Sequence, residues 1–218
     1  MRLRVDETKL RASLERLPRL CRIAFAAACA ERQFPNYVKY SSKSGRGDPH
    51  ALKKVLNCLW RDLEEQAVAR EELHRQLSLA ISLQPGEDDL KFFDDCLYAE
   101  DAAVAATYAI EARLTSNMQE VIWAAERPRE ALSHYIRLRL DPDIGDWRKQ
   151  LEQVISDPLY QAELHRQQQD LSELGKKQGH RDSGRSAISV VHQRAKADAA
   201  VFFNREAAVK DLAERSKE

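Results

Sequence analysis

Apolar positions recur along this chain at helical spacing, interrupted by proline, glycine and short polar runs. Leu10, Leu14 and Leu17 share one stripe of a helix over residues 6–17. The stretch Leu20 to Gln33 is apolar nearly all round, which predicts a central, buried helix. Pro35 should end it, because the residue before a proline avoids the helical region. Residues 41–48 read as a loop, and Asp48-Pro49 supplies an N-cap and a first helical residue for the next helix. Leu52, Val55, Leu56, Leu59 and Leu63 then continue at helical spacing. No Gly or Pro interrupts residues 50–84, which is long for one globular helix, so a break is expected near Ala67 to Arg70. Leu73, Leu77 and Ile81 belong to the helix beyond it.

Gln84-Pro85-Gly86 is a turn. A helix from about Tyr98 to Leu114 should place Val104 and Tyr108 inward. Thr115-Ser116-Asn117 caps a helix over Met118–Leu140, with a kink expected at Pro128. After the loop Asp141–Gly145, two short helices are expected over Asp146–Ile155 and Asp157–Leu174, with Gly175 closing the second. Runs of period two are absent. The pattern therefore predicts an all-α fold, a single compact multi-helix bundle of about seven to nine helices around the segment near residues 20–33. Residues 1–175 form the expected bundle core and residues 176–186 a polar linker. Residues 187–218 form a last helix, bearing Val190, Val191, Val201, Phe202 and Val209, that packs on the same domain or on a partner.

Composition narrows the class. The chain has 218 residues, 43% apolar and 32% charged, enough for one domain with a sizeable core. Its formal net charge of zero makes nucleic-acid binding unexpected, since a dedicated binder is strongly basic. The charge is uneven: residues 1–30 carry seven bases and three acids, residues 87–120 nine acids and two bases. A basic N-terminal arm lying over the acidic stretch would satisfy both. Cys21, Cys29, Cys58 and Cys96 have no CxxC spacing and lie in apolar segments, as free thiols in a reducing cytoplasm do. The run ending in Ala28-Cys29-Ala30 superficially resembles a leader peptide, but Arg22 interrupts it and acids precede it, so it reads as a buried helix and no membrane span is expected.

Candidate chemistry is sparse. Glu71-x-x-His74 is half of a di-metal motif, and no other histidine has an acid three positions earlier, so a surface contact at helical spacing is the better reading. The acids Glu87, Asp88, Asp89, Asp94, Asp95, Glu100 and Asp101 lack calcium-loop spacing and suit capping and solvation. Asp101 shares a helical face with Leu97, Val104 and Tyr108, so it needs a buried partner or a pocket. Gly45-x-Gly47 has no preceding strand and no Gly-Lys-Ser/Thr, which argues against a phosphate loop. Lys176, Lys177, His180, Arg181 and Arg185 read as a solvated basic linker. No nucleophile stands in a recognisable setting, and no metal or cofactor is implied.

The run Cys29-Ala30-Glu31-Arg32-Gln33-Phe34-Pro35-Asn36-Tyr37 resembles the YjaG-like family of bacterial proteins, a domain of unknown function. The likeness continues through Gly47-Asp48 and Val55–Trp60, resumes at Asp88-Asp89 and Ala99–Ala103, covers about residues 12–115 and fades after about 140. Arg61 and Tyr98 depart from the family pattern. The resemblance implies a compact helical fold with no assigned activity, and singles out Glu31, Asn36, Tyr37, Trp60 and Asp101 for testing. The expected role is a cytoplasmic protein-interaction or regulatory module without catalysis, meeting an unknown protein partner or itself. The alternative is a small-molecule or enzymatic site around those five residues.

Overall fold

A computed structural model of the chain describes residues 3–65, 67–86, 89, 95–140, 146–176 and 181–203, with side chains of the last helix described over 184–200. Among the described residues there are nine helices and no strand. They are α1 (Glu7–Glu15), α2 (Arg19–Ser44), α3 (Pro49–Glu65), α4 (Arg70–Ser82), α5 (Cys96–Thr115), α6 (Met118–Arg137), α7 (Trp147–Ser156), α8 (Pro158–Leu174) and α9 (Arg181–Phe203). None of them is long and apolar enough to cross a membrane.

Helix α2 is the axis of the bundle. Ile23 through Gln33 are buried without interruption, and α3, α5, α6, α8 and α9 all pack against it. Its most extensive partner is α5. Both helices contribute alanines to that contact, Ala24 and Ala26–Ala28 from α2 and Ala99, Ala102, Ala103 and Ala106 from α5, all buried. Small side chains let two helix backbones approach to the short end of the usual range, about 8 Å. This packing corrects the orientation expected for α5. Val104 and Tyr108 lie on its half-exposed outer face, and the alanines face the core.

A second correction concerns Pro35. Helix α2 does not stop there; Pro35 is buried inside it, and the helix ends at Gly45 in the left-handed conformation, whose N–H bonds the Ser41 carbonyl. Proline removes one backbone donor and disfavours helix at the preceding residue. Packing on both sides of the turn outweighs that local preference here. The loop expected over 41–48 accordingly shrinks, and the break near 67–70 falls between α3 and α4.

The charge pairing also differs from expectation. The acidic stretch is met by the end of α2, where Lys39 and Lys43 pair with Asp95 at 3.4 and 2.5 Å and Arg46 pairs with Asp89. The N-terminal bases go elsewhere: Arg4 to Glu152, Arg11 to Gln119 and Arg19 to the Arg113 carbonyl. Glu87, Asp88 and Asp94 lie outside the described residues, as do Lys177, His180 and residues 204–218. Helix α9 begins at Arg181, inside the stretch expected to be linker. It lays Ile188, Val191 and Ala195 against α2 and the neighbouring α3 and α8.

Candidate functional site

The end of α2 carries the Glu-Arg-x-x-Pro-Asn-Tyr run, and the structure gives each residue a partner. Glu31 is buried; one oxygen accepts from Trp60 Nε1 at 3.2 Å and the other from Lys53 Nζ. Trp60, on α3, stacks on His192 of α9 at 4.1 Å between centroids, and His192 Nδ1 lies 2.9 Å from Glu64. Burial lowers the His192 pKa against the pull of Glu64, favouring its neutral form. Asn36 donates to Gln33 at 2.8 Å. Tyr37 is buried and its hydroxyl donates to the Leu83 carbonyl at 2.8 Å. Thus the structure joins Glu31 to Trp60 directly and gives Asn36 and Tyr37 other neighbours.

Tyr37 also explains a glycine. Gly47 has φ +73°, and a Cβ there would stand 2.9 Å from the Tyr37 hydroxyl. Tyr37, Tyr40, Arg46, Asp48, Leu83 and Asp89 line a polar pocket of about 280 Å³. The Arg46–Asp89 ion pair spans two of its walls.

Asp101 sits elsewhere, on the outer face of the α5–α6 pair. It pairs with Arg127 of α6 at 3.3 Å. Tyr108 and Trp123 pack on one side, with centroids 5.2 Å apart, and Tyr98 and Tyr135 on the other, at 6.4 Å. These pairings run antiparallel along the two helices. Burial pushes the Asp101 carboxyl up to about 7, overcoming Arg127, and Glu130 and Glu100 push the same way. Leu97 and Trp123 keep 36% and 39% of their surface exposed, so no other described helix covers this face.

A buried ionic network was not foreseen from the sequence. Arg32 is wholly buried; it donates to Asp170 at 2.7 Å and to Glu163 at 3.1 Å, both also buried. Arg194 of α9 donates to the other Asp170 oxygen at 3.0 Å, and Gln167 donates to Glu163 at 3.0 Å. Burial opposes the Arg32 charge, but Glu163 and Asp170 hold its pKa above the ordinary value. Burial pushes the adjacent Cys29 thiol up to about 12, so it stays protonated and inert. The signal was present in α8: Glu163, Gln167 and Asp170 fall on the stripe of Tyr160, Leu164 and Leu174. Acids on an apolar stripe require a buried cation.

Glu71 and His74 both face solvent. Among the described residues no group of three or more His, Cys, Asp and Glu side chains is placed to hold a metal ion. What the arrangement offers is hydrogen bonding and charge, on one uncovered face and in small pockets.

Comparison with known proteins places this geometry. A family model described as "Protein of unknown function (DUF416)" matches residues 9–198, extending well beyond the stretch where the residue-level likeness is legible. The chain is 30% identical over 108 residues to the uncharacterized protein YjaG of Escherichia coli (strain K12). That match takes in 49% of this chain and 54% of the relative, so the chain spans about half the length of the curated relative it matches. In fold it is similar to the crystal structure of a DUF416 family protein from Shewanella baltica OS155, with a TM-score of 0.74 and 19% identity over 85% of this chain and 92% of that one.

Proposed function

The chain belongs to the DUF416 family of proteins of unknown function, and from that premise we propose that it is a non-catalytic interaction module whose α5–α6 outer face docks a basic protein partner. The observation that carries this is the face itself: two aromatic pairs flanking a largely buried Asp101–Arg127 pair, with Leu97 and Trp123 uncovered. One exposed and three half-buried aromatics around a charged centre match the usual composition of binding hot spots. Charge selects the partner. Arg127 pairs with both Asp101 and Glu130 and Arg139 lies over the Tyr135 ring, so Glu100 is the acid that a lysine or arginine of the partner complements.

Size sets the strength. On α5 the face runs from Leu97 to Tyr108, so it is about 17 Å long and about two helices wide, roughly 340 Å². That is smaller than a standard stable interface and suits weak, reversible association. The compartment that fits is the cytoplasm, where the buried cysteines stay reduced. A small-molecule or enzymatic site around Glu31, Asn36, Tyr37, Trp60 and Asp101 has weaker support, since Glu31 and Asp101 are both engaged by neighbouring side chains.

The test immobilises the full chain and maps the bound partner by hydrogen exchange. Protection over 97–108 and 123–135, a loss of about 2–4 kcal/mol of binding in Trp123→Ala, and weakening by salt are expected. Binding that survives Leu97→Asp combined with Trp123→Asp, or a footprint on another face, would overturn the reading.

A further inference from the structure

Arg129, near the middle of α6, is a second buried guanidinium, with only 8% of its side chain exposed. It differs from Arg32 in what surrounds it. Arg32 touches two carboxylates within hydrogen-bond distance. The nearest carboxylate to Arg129 among the described residues is Glu126, at 4.0 Å. Among the described residues the Ala125 carbonyl accepts from its Nε at 3.2 Å. A buried charge left without a bonded counter-ion is costly unless something else neutralises it.

Arg129 also lines a cleft of about 170 Å³ between the N-terminal segment, α6 and α8. Leu10, Leu164 and Leu171 form apolar walls, and Arg4 and Lys9 add positive charge to the lining. Asp6 is the acid in the lining; it caps α1 through the Lys9 N–H and pairs with Lys9 at 3.3 Å. Lys9 pairs with Asp6 and Arg4 with Glu152, so the lining is apolar on its walls and backed by Arg129, a guanidinium without a bonded anion among the described residues.

We propose that this cleft binds a small aliphatic monocarboxylate, its carboxylate on Arg129 and its alkyl chain between Leu10, Leu164 and Leu171. A carboxylate matches the planar donor fork of arginine in a way that a point anion does not. The walls offer nothing to inorganic phosphate beyond charge. The site is separate from the α5–α6 face, so either proposal can fail alone.

Calorimetric titration of the full chain with acetate, butanoate, hexanoate, hexylamine and inorganic phosphate tests it. Affinity should rise about fourfold for each methylene added between acetate and hexanoate. Hexylamine should not bind. Arg129→Gln should weaken hexanoate binding roughly tenfold or more. Ser13→Phe, which fills the cleft and leaves Arg129 in place, should abolish binding while the circular dichroism spectrum stays that of the parent; it decides the matter should Arg129→Gln fold poorly. No hexanoate binding at millimolar concentration would overturn the proposal. So would equal affinity for acetate, hexanoate and phosphate, meaning an adventitious ion only, or unchanged binding in Ser13→Phe.

Discussion

Arg32 enters the core with its charge and no access to water, and two carboxylates from α8 meet it there. Such clusters gain little over a well-packed apolar core, because desolvation offsets most of the attraction. Removing one member is different. Arg32→Met leaves Glu163 and Asp170 as neighbouring buried acids, with Arg194 the closer remaining base to Asp170. Loss of about 3–5 kcal/mol of stability in urea unfolding is expected. Arg32→Lys should recover only part of it, since one ammonium does not reproduce the fork that reaches both acids. A loss below about 1 kcal/mol in Arg32→Met would show the network to be dispensable. Neither Arg32 nor Arg129 was legible as a special residue from its neighbours in sequence, because a lone arginine on a helix ordinarily snorkels to solvent.

Among the elements, the α5–α6 pair sets the chemistry of Asp101. Spacing marked this acid as needing a partner on the premise that its face turns inward; that face turns outward, and the partner lies on it. Spacing did not supply the partner, Arg127, which belongs to another helix, nor the orientation of α5, because an alanine face is invisible to a search for large apolar residues. The raised pKa has a consequence for stability. Between the ordinary carboxyl value and about 7 the folded chain holds a proton at Asp101 that the unfolded chain releases. Its stabilising effect is complete below that window and is lost as pH rises through about 7. Asp101→Asn, which cannot ionise, should flatten stability between pH 4 and 7 and exceed the parent at pH 8 by on the order of 1–3 kcal/mol. Thermal unfolding across that range reads the result; identical pH profiles for parent and variant would show that Arg127 keeps the carboxylate ionised throughout.

For the whole molecule, α9 raises the question of what the bundle requires. It lies against α2, stacks His192 on Trp60 and brings Arg194 to Asp170. A chain ending at Lys176 would uncover Trp60 and leave Asp170 with Arg32 as its remaining bonded base. Such a chain should lose cooperative unfolding and bind a hydrophobic dye. A cooperative transition within about 1 kcal/mol of the full chain would instead make α9 an appendage.

Periodicity, turn residues and caps are local properties. They determined the all-α class, the burial of most of residues 20–33, the break before Arg70 and the starts of α3 and α8. The Glu-Arg-x-x-Pro-Asn-Tyr run carried the resemblance to the family, which the family model matching residues 9–198 shows. Tertiary packing alone decided that α2 runs on through Pro35, that alanines pull α5 inward, and that Arg32 meets Glu163 and Asp170. Those outcomes join residues up to 138 positions apart. They depend on which helices touch, and no short stretch of sequence encodes that.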